Sequence, residues 1–197
     1  MKNVFIILLL KLHTTIFKMK KTILFLFTFY ACFLISQEKL PYYEIPEAAK
    51  EFTPGTTASR MVDGLGFRYY WATEGLTAKD LAFQPNEAAR TSSETIDHIL
   101  ELSQVILNAT LKVANGAKLP EMTFAEKRKK TLENFQQVSK ILRESKDISQ
   151  YKMIFGETEF PFWNAINGPI ADAIWHTGQV VSFRRSSGNP FPKGVSV

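Results

Sequence analysis

The sequence predicts an all-α fold: a four-helix bundle behind a signal peptide and an extended arm. Three observations predict it. Four segments, at about 57–74, 92–114, 123–146 and 168–186, carry helical spacing or helix-terminal signals. No alternating strand pattern, internal repeat or low-complexity tract interrupts them. The links between the first three are short, which suits helices packed as a bundle.

The chain has 197 residues, one domain or one domain with a leader. Residues 1–36 form the predicted leader. Lys20 and Lys21 precede a mostly apolar run that ends at Ser36, the pattern of a secretory signal peptide. Cleavage there leaves Gln37 first, and export to a periplasm or the exterior follows. Met19 is a plausible start, with 1–18 then a mis-assigned extension. The alternatives are an uncleaved anchor, for which the run is short, and a lipoprotein at Cys32, whose preceding Phe29, Tyr30 and Ala31 make a poor lipobox. Membrane contact is expected only through this leader.

The leader also explains the charge. It holds Lys2, Lys11, Lys18, Lys20 and Lys21 and no acid; without it, 19 basic residues face 19 acidic ones. A neutral body argues against nucleic-acid binding. Cys32 is the single cysteine, so disulfides, cysteine-bound zinc and cysteine nucleophiles are excluded from the body.

Residues 37–56 carry three prolines and no period, and read as an extended arm. The first helix, about 57–74, stops at Gly75, with Gly64 and Gly66 suited to close helix contact. Residues 76–91 are a link containing Pro85. The second helix starts at the capping box Thr91–Glu94 and ends at Asn115-Gly116. The third starts at the capping box Thr123–Glu126 and buries Phe124, Leu132, Phe135, Val138 and Leu142. Residues 147–167 form a long aromatic-rich connection. The fourth helix is expected to take Asn167 as cap and Pro169 in its first turn, to approach a neighbour at Gly178, and to end at Gly188-Asn189-Pro190. Residues 191–197 are a tail.

The body has two histidines, His98 on the second helix and His176 on the fourth. Asp172 precedes His176 by four residues, so both leave one face. Asp172 sits in an apolar helix, and a buried carboxylate needs a partner or a cation. With His98 as third ligand, two imidazoles and a carboxylate would suit a divalent metal. The plainer readings are a hydrogen-bonded Asp172–His176 pair and His98 as an ordinary core or surface residue. Glu94 and Asp97 compete for the same role, or are exposed charges at a helix start. Gln179 continues the face as a partner of the ligands or as a packing amide. Trp71, Trp163 and Trp175 are expected in the core rather than around a pocket. Arg184 and Arg185 read as solvated charge, with anion binding the alternative. The Lys127–Lys130 run reads as a wet face. Asn108-Ala109-Thr110 matches a glycosylation sequon by chance.

The segment ADAIWHTGQVVSFRRSSGNP resembles the last-helix motif of the DinB/YfiT-like superfamily, H-x-x-x-H-R-G-Q followed by an arginine, a glycine and a proline. His176-Thr177-Gly178-Gln179 match its core; Arg184 or Arg185, Gly188 and Pro190 match its end. TIDHILEL resembles the earlier histidine segment. The resemblance covers about 57–190. It implies an up-down-down-up four-helix bundle and a metal held by His98, Asp172 and His176, with Gln179 behind them. Aspartate replaces the family's middle histidine at 172, and Thr177 replaces the usual arginine.

The resemblance implies a metal-activated water or thiol acting on an unknown small molecule, as hydrolase or thiol-dependent transferase. The cation would be Zn, Ni, Mn or Fe, with Asp172 favouring the harder ions. The alternative is an exported, non-catalytic binding or interaction module with a structural or lost metal site. A homodimer is expected by the same resemblance.

Overall fold

The computed structural model describes residues 39–195. The leader, Cys32, the cleavage point, arm residues 37–38 and tail residues 196–197 lie outside the described residues. The described elements are mostly helical, with a small three-stranded sheet that the sequence reading did not anticipate. Among the described residues no helix is long and apolar enough to cross a membrane.

Helix α1 spans Pro54–Thr73, starting three residues earlier than expected. Thr53 caps it reciprocally with Thr56, and Pro54 sits at the first turn, where its missing N–H costs nothing. Its buried stripe (Ala58, Val62, Leu65, Tyr69 and Ala72) keeps helical spacing. Gly75 follows in the left-handed region, at φ +68°. A four-residue helix, α2 (Ala78–Leu81), capped by Thr77, lies within the link to α3.

Helix α3 spans Ser92–Leu111 and α4 spans Phe124–Glu144, each opening on its expected capping box. Helix α3 ends sooner than expected. Lys112 turns left-handed at φ 58°, and Ala114–Asn115 become strand β1. The aromatic connection holds strands β2 (Lys152–Phe155) and β3 (Thr158–Pro161). Strand β1 pairs parallel to β2, and β2 antiparallel to β3, with Met153 opposite Phe160. A short helix, α5 (Phe162–Ala165), and a π turn (Ile166–Ile170) lead into α6 (Ala171–Ser186).

Helices α1 and α3 each pack against both α4 and α6, and the sheet rests on α3. Leu132, Phe135, Val138 and Leu142 of α4 are fully buried as expected, with Phe135 edge-on to Tyr69 at 6.1 Å. Gly66 serves the arm rather than a helix: a Cβ there would meet the Tyr42 ring at 2.5 Å. Gly178 makes no close approach to a neighbour, because a Cβ there would meet nothing within 4 Å.

Two basic residues read as solvated point inward. Arg128 donates to the Tyr70 carbonyl (3.2 Å) and the Thr73 hydroxyl (2.9 Å) and pairs with Glu74 (2.6 Å). Arg184 is 2 % exposed and donates to the carbonyls of Trp71 (2.7 Å) and Ala72 (3.2 Å). The last turn of α1 contains no basic residue, and its open carbonyls are met by these two arginines from α4 and α6. Arg184 therefore spends its donors on backbone carbonyls instead of standing as solvated charge. The tryptophans also depart from expectation: Trp163 and Trp175 are 77 % and 64 % exposed, and Trp71 is half-buried, bonded to the Tyr43 carbonyl.

Candidate metal centre

Helix α3 supplies His98; α6 supplies Asp172 and His176 one turn apart. The entrance to α6 sets their height. Asn167 does not cap it. Pro169, which has no N–H, sits in the π turn, and Gly168 leaves helical geometry at φ −101°, ψ −109°. Asp172 thereby falls in the first turn of α6, facing α3.

Among the described residues, His98, Asp172 and His176 form a group whose ligating atoms all lie within 4.8 Å of one another. His98 Nε2 stands 3.3 Å from Asp172 Oδ2, and His176 Nε2 stands 3.4 Å from Asp172 Oδ1. Ligands bound at about 2.1 Å around a tetrahedral ion stand about 3.4 Å apart; the two short distances match this, each to a different carboxylate oxygen, while the group as a whole is spread more widely, within 4.8 Å. The two imidazoles meet edge to face, with centroids 4.7 Å apart. His176 is buried; His98 and Asp172 are partly open, which leaves a side for a further ligand.

Proton positions follow from the outer partners. His176 Nδ1 donates to Gln179 Oε1 at 2.7 Å. The neutral ring then carries a lone pair on Nε2, aimed at a carboxylate oxygen. Two acceptors facing each other need a cation between them or a proton on the ring. His98 repeats the pattern more loosely, its Nδ1 3.7 Å from Glu101 Oε2 and its Nε2 toward Asp172. The donor set, two nitrogens and a carboxylate with Nδ1 atoms turned outward, fits a divalent transition metal.

The structure thus brings together all three sequence-predicted ligands, with Gln179 behind His176. The rivals are engaged elsewhere. Asp97 pairs with Lys127 at 2.6 Å. Glu94 closes its capping box, and the Thr91 backbone and hydroxyl bonds hold its carboxyl below the usual range. Asn108 accepts from Gln104 and donates to Asn115 within hydrogen-bond distance. Glu101 was missed by the sequence reading. Its signal is the spacing of three residues from His98, which puts a carboxylate beside that ring. Trp175 also lies against His176, ring centroids 5.1 Å apart. Comparison with known families, with curated proteins and with solved structures returns no match.

Proposed function

We propose that this chain is an exported, divalent-metal-binding protein of DinB-like type, an up-down-down-up bundle acting on a small molecule as hydrolase or thiol-dependent transferase. The convergence of His98, Asp172 and His176 from two helices carries the reading. The motif resemblance of α6 and the leader at 1–36 support it. A bound divalent cation supplies acidity, lowering the pKa of coordinated water or thiol toward neutrality. The chain's own residues position it: His98, Asp172 and His176 hold the ion, and Gln179 keeps His176 in the tautomer that ligates. Asp172 adds negative charge and hard oxygen, which favours Mn²⁺ or Fe²⁺ over what three imidazoles would select.

A second reading is a non-catalytic binding module. It draws on the same Asp172–His176 pair, which a proton on the ring satisfies without metal. Elemental analysis of the full-length, untagged chain purified in mild detergent separates them. The proposal expects about one equivalent of metal per chain, lost in His176→Ala. It also expects the metal-stripped protein to gain melting temperature when Mn²⁺, Fe²⁺, Zn²⁺ or Ni²⁺ is added, since an ion bound only by the native state stabilises it. No metal as purified, and no thermal response to any of the four, would overturn it in favour of the module.

A further inference from the structure

We infer that the cleft adjoining the triad binds an aromatic group of a small ligand whose polar head reaches the triad; this rests on the metal reading of His98, Asp172 and His176. Leu102 and Val105 follow His98 by four and seven residues, on the same face of α3. Gly168 precedes Asp172 by four residues, in the π turn that leads into α6. All three line a cleft of about 400 Å³, so it continues the α3–α6 seam away from the triad. That volume lies in the range of small-molecule sites.

The cleft's other wall is the sheet. Met153, opposite Phe160 in the hairpin and two residues before Phe155, puts all three side chains on one face of it. Phe155 and Phe160 are 43 % and 38 % exposed and meet edge to face at 6.2 Å. Two rings and a thioether favour an aromatic occupant over an aliphatic one, through edge contacts and sulfur–ring contact. Length follows from the helix. Four to seven residues of α3 advance about 6–10 Å, so a ring beside Leu102 and Val105 connects to the triad through a linker of two or three atoms. Size is bounded as well. Beside Val105 and Phe155 the surface turns to Glu101, Gln104, Asn108 and Asn115, the last three bonded through their amides. Asn164 and Asn167 also line the cleft, so amides border its apolar wall.

The test compares 3-phenylpropanohydroxamate with acetohydroxamate on the full-length chain loaded with Zn²⁺, with ¹³C-methyl methionine labelling to watch Met153. The expected result is binding at least about tenfold tighter for the phenyl compound, with the Met153 methyl resonance shifted. Both effects should fall in Val105→Trp, which fills the cleft, and in Phe160→Ala, which removes the half-exposed ring opposite Met153. Equal affinities on a metal-loaded chain, with Met153 unmoved, overturn the inference and leave the metal reading standing. If instead the chain takes up no metal and neither hydroxamate binds, the metal reading fails. Benzyl alcohol added to the metal-free chain then decides the cleft alone: a Met153 shift supports an aromatic site, and an unmoved methyl removes it.

Discussion

At position 172 a carboxylate takes two imidazoles at once, one oxygen to His98 and the other to His176. That sharing makes Gln179 more than a packing amide. It is the group that turns the His176 lone pair inward. Gln179→Ala should therefore weaken metal binding about 10- to 100-fold, read by competition against a fluorescent chelator, while the melting temperature of the metal-free protein stays within about 2 °C. Asp172→Asn should cost more, because it removes a charge as well as a ligand. Equal affinity in Gln179→Ala would show that the ring orientation is set elsewhere. Much of this was legible in the sequence. A carboxylate four residues before a histidine must share its helical face, and the body offers only one other histidine. What spacing does not encode is the meeting of α3 with α6 at that height, which depends on the π turn at Pro169.

Among the elements, the end of α1 is secured by groups from far along the chain. Arg128 and Arg184 meet its carbonyls. Asn189 donates to the Gly75 carbonyl at 3.0 Å and to Asp80 Oδ2 at 2.7 Å. Asp80 also accepts from Thr77 at 2.8 Å and from the Ser187 hydroxyl, so α2 ties α1 to the end of α6. Burial works against the Asp80 charge. The bonds from Ser187, Thr77 and Asn189 outweigh it and hold the carboxyl well below the usual carboxylate range. A carboxyl depressed in the folded state contributes stability above its unfolded pKa, about 4, and loses it as pH falls toward the folded value. Asp80→Asn should cost about 2–4 kcal/mol at pH 7, with the gap to the parent protein narrowing below about pH 4; urea denaturation at pH 7 and pH 3 checks both. A gap that widens in acid would contradict this account. Helix starts of this kind were readable, since Thr91 with Glu94 and Thr123 with Glu126 spell the box outright. Thr53 with Thr56 performs the same role with a residue that does not advertise it, so the start of α1 was placed late. The inward arginines were illegible for a different reason. Charge alone does not tell a guanidinium that caps a distant helix from one in water. The sheet was hidden because its strands are only two to four residues long, too short to show alternation.

On the scale of the whole molecule, the arm is fastened across α1 and α4. Tyr42 is buried, takes positive φ (71°), and donates to Asp63 Oδ1 at 3.2 Å. Burial, and then the charge of Asp63, raise its phenol far above the usual tyrosine range, so it stays a donor. Asp63 in turn pairs with Arg143 and accepts from Ser139, and Arg143 reaches the Glu47 carbonyl at 3.1 Å. Arg60 holds Pro46 in the same way at 2.6 Å. The Tyr42 ring lies where a side chain at position 66 would begin, which gives Gly66 a role that helix propensity opposes. Glycine within a helix costs about 1 kcal/mol against alanine, yet Gly66→Ala should here destabilise the protein by about 1–3 kcal/mol through the forced displacement of a hydrogen-bonded ring. In a Tyr42→Ala background the obstacle is gone, and the same substitution should become neutral or stabilising by up to about 1 kcal/mol. Urea denaturation of the four proteins in this cycle measures the reversal, and limited proteolysis near residue 45 reports whether the arm has come away. A Gly66→Ala effect of the same sign and size in both backgrounds would place the cost in α1 itself and detach the arm from the stability of the body.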